Sequence, residues 1–273
     1  MNGIVRLLSG SEPVSTPLSL REEFRFRRFG LQHDEPRDFM RSQWQSKPKS
    51  VGFLVYRWLL GGFFGTGLVS YFIKYFQGGH WLIYLTNWGF LMCGITSVTG
   101  AVLVTLYHYK PDDWVPPSGL IKFYWASYWT NLIITGVVSL TYWLTVYPAD
   151  RRPGNPTRVS DLYNIWTHAL PPIFYTVDHL VVAQPSRLLH FVYPLGFSLI
   201  YTGFTLVFYV LGGVDLNGRR YIYSFLNYAK PKSAILTITR ISFLIVALSS
   251  YFYGLYRVRS YVARKLGFAG NSE

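Results

Sequence analysis

The stretch DLYNIWTHALPPIFYTVDH, residues Asp161 to His179, decides how this chain is read. It is apolar enough to lie in a bilayer, yet Asp161, Asn164, His168, Tyr175 and Asp178 recur at helical spacing along one side. Pro171 and Pro172 interrupt it midway. A charge at the centre of a membrane helix costs about 2.5–3.5 kcal/mol on insertion scales. Polar groups of this kind therefore face a bundle interior and mark a site by default. The rest of the chain reads as membrane helices arranged around this one.

Composition supports that reading. Half of the 273 residues are hydrophobic, 19 % are aromatic and only 14 % are charged. A soluble domain carries about a quarter charged residues. Six apolar segments, at about 51–75, 82–107, 120–147, 160–182, 189–212 and 234–257, are each near or above the ~20 residues needed to span a membrane. The expected fold is an all-α integral membrane bundle of about six helices, residues 51–258. A basic tail, residues 1–50, precedes it, and a short basic tail, residues 259–273, follows. The early part of the first tail is Ser/Pro-rich, a composition of disorder. Glu23 to Phe29 reads as an amphipathic surface helix anchored by Phe24, Phe26 and Phe29.

The net charge of +13 sits mainly between and before the apolar spans. That distribution argues for membrane topology and anionic lipid, not nucleic acid. The N-terminal tail, Lys110, Lys122, Arg187, Arg257, Arg259, Arg264 and Lys265 fall on one side, and Arg151, Arg152, Arg158, Arg219, Arg220, Lys230 and Lys232 on the other. The first group is larger, so both termini are expected in the cytosol. The single cysteine, Cys93, lies in an apolar run and excludes an intramolecular disulfide. No signal peptide is visible before the first span. Gly61 and Gly65 permit close helix approach.

Several polar residues within the spans are candidates for chemistry. Thr86, near the start of the second span, and His168, in the fourth, both enter from the outer side and can share a leaflet. A hydroxyl nucleophile needs a base to take its proton, and an imidazole suits that task. Asn164, one turn from His168, is placed to orient the ring or donate to an oxyanion, and Asp161 is placed to orient it. The alternative is that Thr86 bonds its own backbone and His168 a neighbour. Arg240, in the sixth span, suits a lipid carboxylate or phosphate, or snorkels to the interface. His108, Asp178, His179 and His190 near the cytosolic ends match no strong metal spacing, so neither metal nor cofactor is expected. Asn131 reads as an interhelical hydrogen-bond partner.

Glu23-Phe24, Phe29-Gly30-Leu31-Gln32-His33 and Ser42-Gln43-Trp44-Gln45 resemble the N-terminal signature of the rolling stone family. So do Tyr84-Leu85-Thr86-Asn87-Trp88, Pro185 through Pro194, and Gly212-Gly213-Val214-Asp215 with the Tyr-rich loop after it. The resemblance runs from about residue 23 to 235. It departs at Asn227-Tyr228, where the family usually has Asp-Trp, and at Pro171-Pro172. It implies a multi-spanning plasma-membrane protein with a part in myoblast fusion or muscle development. More distantly, Thr86 in a Leu-Thr string and His168, with Asn164 four residues before it and Asp178 ten after, are similar to the androgen-induced and androgen-dependent family. Those are threonine hydrolases of fatty-acid esters of hydroxy fatty acids.

Three readings follow: a membrane protein acting in cell fusion, an intramembrane Thr/His hydrolase of lipid esters, and a channel or transporter. The third lacks matched broken helices or a repeat. Membrane lipids are the expected partners, with a fatty-acid ester as the substrate if the chain is an enzyme.

Overall fold

The computed structural model describes residues 17–76, 78–151 and 159–268. The first sixteen residues, with the Ser/Pro-rich segment, and Arg152 and Arg158 lie outside the described residues. The architecture is all-helical: among the described residues there is no strand, only an isolated bridge between Ser42 and Val182. Among the described residues, five helices are long and apolar enough to cross a membrane.

Helix α1 spans Val51–Tyr75, α2 Leu85–Tyr109 and α3 Ser118–Thr141, the last continuing through a π-helical turn, Tyr142–Val146, into Tyr147–Asp150. Helix α4 is assembled from Asp161–Asn164, a second π-helical turn, Ile165–Ala169, and Leu170–Val181. Helix α5 is Val192–Val210, entered through the 3-10 turn Leu188–Phe191, and α6 is Pro231–Lys265. These positions agree with the six expected segments. Helix α4 runs unbroken from Asp161 to Val181 through its π-helical turn, but the polar line of Asp161, Asn164, His168 and Asp178 leaves it less apolar than the five spanning helices.

Local chemistry explains the ends. Ser50 caps α1 by accepting the Phe53 N–H at 3.2 Å. Gly79, at φ +85°, turns the chain from α1 into the 3-10 turn His80–Ile83 that leads to α2. The small residues at 61 and 65 pack α1 on α2 within this chain. A Cβ on Gly61 would lie 3.2 Å from the Ser97 carbonyl oxygen.

Helices α2 and α3 hold the middle of the bundle, where Trp125, Trp129, Leu132 and Leu103 are fully buried. Helices α5 and α6 lie outside it and turn Leu199, Ile200, Val207, Val210 and Phe243 outward, the expected lipid-facing surface. Buried polar groups stitch the centre. Asn131 Nδ2 donates to Met92 O at 3.1 Å and to Thr96 Oγ1 at 2.9 Å, the interhelical role expected of it.

Both described chain ends sit at one end of the bundle, the basal end: Trp44 meets Phe268, and Arg257 donates to the Leu18 carbonyl at 3.2 Å. There the N-terminal segment departs from the sequence reading. Glu23 to Phe29 is not one surface helix but a four-residue helix, Leu20–Glu23, and a separate 3-10 turn, Phe26–Phe29. The cause is Glu23: its carboxylate is buried, accepting from Arg187 at 3.2 Å and from the Leu188 N–H at 3.3 Å. Further on, Phe39 and Met40 enter the core, and Trp44 Nε1 donates to Leu180 O at 2.7 Å. Helix α6 also runs past its expected end at 257. Arg259 is buried and donates to the carbonyls of His179 and, at 2.8 Å, Gln184. The carbonyl-rich end of α4 satisfies that charge.

One buried charge pair joins α1 to α4. Arg57 Nη1 reaches both Asp178 oxygens, at 2.9 and 3.0 Å, and Tyr56 donates to Oδ1 at 2.8 Å. Arg57 Nη2 donates to Tyr124 at 2.5 Å.

Candidate functional site

The pairing of Thr86 with His168 is formed at the opposite, apical end. Thr86 is the second residue of α2, and His168 lies inside the π-helical turn of α4. Their Oγ1 and Nε2 atoms are 3.2 Å apart. The turn has a backbone cause. Pro171 has no N–H, so the α-helical bonding pattern cannot continue through it. The Leu170 N–H instead reaches back five residues to the Ile165 carbonyl. Pro148 follows the π-helical turn of α3, where the Tyr147 N–H reaches back to Tyr142. Single π-helical turns recur at functional sites because the widened turn re-aims one side chain. Here the two turns bring Tyr142 and His168 face to face, with centroids 3.4 Å apart and planes 11° from parallel.

The imidazole's tautomer follows from its neighbours. Nδ1 lies 3.1 Å from the Asn164 backbone oxygen, which can only accept. It also lies 3.0 Å from Thr167 Oγ1, whose own proton goes to the Tyr163 carbonyl at 2.7 Å. Nδ1 therefore carries the hydrogen, and Nε2 turns its lone pair to the Thr86 hydroxyl, which donates. An imidazole lone pair facing a hydroxyl is the geometry that general-base activation would require.

Beside the pair opens a cavity of about 240 Å³, walled by Tyr71, Tyr84, Asn217, Arg219 and Tyr223 together with Thr86 and His168. Tyr223 accepts the Leu85 N–H at 3.1 Å, and its hydroxyl is within hydrogen-bonding reach of the Thr86 and Tyr201 side chains. Burial pushes the Tyr223 phenol up to about 12, so it keeps its proton at neutral pH. Arg219 is held by Asp215, Nε to Oδ2 at 2.8 Å.

Other expected site residues are placed differently. The Asn164 side chain donates to Val159 O at 3.2 Å; the residue orients His168 through its backbone carbonyl, not its amide. Asp161 does not orient His168. It is exposed and ion-paired with Arg151. Arg240 is exposed on α6 and lines neither this cavity nor the smaller one beside it. The cation at the cavity is Arg219. Asp178 is occupied by Arg57 in the basal half, His179 Nε2 lies 2.9 Å from Phe252 O, and His190 Nε2 lies 3.2 Å from Gly30 O. Among the described residues, no group of three His, Cys, Asp or Glu side chains converges as a metal site.

Sequence reasoning missed Arg57, Tyr142 and Tyr223. Arg57 carried a signal: an arginine seven residues into an apolar span calls for a carboxylate partner. The two tyrosines carried none, because neither the π-helical turn nor the fold of the apical loop is legible in residue spacing.

The fold and this cavity define a helical membrane protein with a hydroxyl–imidazole pair in a partly enclosed chamber at one end of the bundle. Comparison with known proteins then supplies the family. The family model described as protein rolling stone matches residues 17–270. The chain is 31 % identical over 251 residues to "Protein rolling stone" of Drosophila melanogaster, covering 88 % of this chain and 90 % of that protein. The chain belongs to the rolling stone family. No solved structure matches it.

Proposed function

We propose that this protein is an intramembrane hydrolase of lipid esters, with Thr86 as nucleophile and His168 as base. The observation that carries the reading is the 3.2 Å contact between Thr86 Oγ1 and His168 Nε2, with Nδ1–H tied to a backbone carbonyl. In the forward step, the Thr86 oxygen bonds to the ester carbonyl carbon as Nε2 takes the hydroxyl proton. The acyl C–O bond breaks, and Nε2 returns that proton to the leaving alkoxide. A water molecule, deprotonated in the same way, releases the fatty acid and restores the threonine. Tyr223, a protonated phenol beside Thr86, is the donor best placed for the oxyanion. The distant similarity of Thr86 and His168 to the androgen-induced and androgen-dependent hydrolases supports the same chemistry. The test is turnover of fatty-acyl esters by the purified protein in detergent. Wild type should turn over substrate, while Thr86→Ala and His168→Ala should each lose about 10²-fold or more. Equal rates in all three, or none in the wild type, contradict it.

A second reading rests on family membership: a part in myoblast fusion or muscle development at the plasma membrane. It predicts that cells carrying Thr86→Ala fuse as well as wild type. A parallel loss of fusion and ester turnover in that variant would make the chemistry the means and fusion the outcome.

A further inference from the structure

A smaller cleft of about 60 Å³ opens beside the first cavity, and the two share Thr86, Tyr142, Val146, Tyr223 and Phe225. Their walls differ in kind. The larger cavity is apical, with Arg219, Asn217 and tyrosine side chains in its wall. The cleft runs between α3, α5 and α6, where Val137, Val138, Leu226, Ile238 and Ile241 supply apolar surface. Its polar residues are largely committed elsewhere: Thr202 donates to Ser198 O at 2.8 Å, and Tyr201 to Ile83 O at 2.7 Å. Helices α5 and α6, which form its outer wall, are the two that turn the most apolar surface outward.

We propose that this cleft is the acyl-chain subsite. The substrate is then a two-part ester, with the first carbons of its fatty-acyl chain between α3, α5 and α6, the rest running out past the apolar outer wall, and its polar alcohol portion in the apical cavity. The carbonyl carbon lies at Thr86, where the two spaces meet. This assignment rests on the hydrolase reading and extends it by fixing which end of the ester lies where. An acyl chain fits because an apolar chain gains by contact with aliphatic walls and needs no polar partner. The alcohol portion fits the apical cavity because its wall is polar, with the Arg219 guanidinium fixed by Asp215 and tyrosine hydroxyls around it, and because a polar product leaves towards water. After the first step, the acyl group is esterified to Thr86 with its chain still in the cleft, and the alcohol departs apically.

Ile241 and Ile238 line the cleft from α6. The test uses the full-length protein in detergent with a series of fluorogenic esters of one polar alcohol, from acetyl to palmitoyl. The quantity read is the ratio of palmitoyl to acetyl kcat/KM. Ile241→Trp fills the cleft and should lower that ratio by about tenfold or more, since a single methylene in an apolar pocket is worth roughly 10–200-fold. Ile241→Ala should raise it or shift the optimum to a longer or branched chain. A ratio within about twofold of wild type in both variants overturns the subsite. If Ile241→Trp does not fold, the Ile241→Ala shift decides. Failure of the underlying reaction looks different: acetyl and palmitoyl esters would both be turned over equally by wild type and Thr86→Ala. Thr86-dependent acetyl turnover with an unmoved chain-length profile would sink the subsite alone.

Discussion

Replacing Asp178 by alanine tests how the two halves of the bundle are joined. The carboxylate is fully buried, as is its partner Arg57 at 1 % exposure, and it accepts two bonds from the guanidinium and one from Tyr56. Removing one member of such a pair strands a buried charge and costs about 3–5 kcal/mol. Losing the Tyr56 bond adds ~1 kcal/mol. The single variant should therefore lose about 4–6 kcal/mol, which at ~2–4 °C per kcal/mol lowers Tm by about 10–20 °C. The double variant Arg57→Met, Asp178→Leu strands no charge. It gives up the tyrosine bonds to the pair, those of Tyr56 and Tyr124 among them, and should lose about 1–2 kcal/mol. Cys93 provides the assay. It is the sole cysteine of the chain and is fully buried, so a thiol-reactive fluorogenic dye reports unfolding directly. Thermal scans in detergent of wild type, Arg57→Met, Asp178→Leu and their double variant complete a double-mutant cycle, with Asp178→Ala scanned beside them. A loss below about 1 kcal/mol in Asp178→Ala, or a double variant as unstable as the singles, refutes the reasoning.

Three further outcomes follow from the geometry. A Cβ on Gly67 would sit 2.8 Å from the Trp166 indole, so Gly67→Ala should cost about 1–3 kcal/mol from overpacking despite the ~1 kcal/mol gained in helix propensity, and it should lower ester turnover by shifting the turn that carries His168; Tm and kcat in parallel check it. Tyr142→Phe, which keeps the ring stacked on His168, should retain most turnover, whereas Tyr142→Ala should lose about 10-fold or more, read as kcat at fixed Tm. Burial opposes ionisation of Asp215, but bonds from the Arg219 side chain and from the Arg219 and Asn217 N–H groups outweigh it and hold the carboxyl below its ordinary range. Its contribution to the apical turn is therefore fully present above the usual carboxylate range and lost as pH falls through the lowered value; amide protection at residues 217 and 219 should fall over that acid window in wild type and show no such step in Asp215→Asn.

Much of the architecture was legible because bilayer physics writes itself into composition. The expected first span, 51–75, coincides with α1, whereas the proline pair at 171–172 does not interrupt α4 but forces the π-helical turn just before it, at Ile165–Ala169. The Thr86–His168 contact is legible only as one of two alternatives, since entry from the same face lets the two share a leaflet but does not exclude that each bonds its own surroundings; the 3.2 Å contact is what the structure adds. What failed were arguments from spacing along one helix. Asp161 and the Asn164 amide share a face with His168, but the π-helical turn rotates the ring away from both and onto a backbone carbonyl and Tyr142. For Arg240 depth alone leaves open a lipid-anion site or snorkelling, and its exposed position away from both cavities fits the second. Glu23 escapes any local pattern because its partner Arg187 lies 164 residues away.

The central claim is that Thr86 is a nucleophile activated by His168. The most direct measurement is covalent capture: treat the purified protein with a fluorophosphonate probe and locate the adduct by peptide mass spectrometry. The account predicts an adduct on Thr86 that is absent from Thr86→Ala and strongly reduced in His168→Ala. An unlabelled wild type, or equal labelling of wild type and Thr86→Ala, contradicts it.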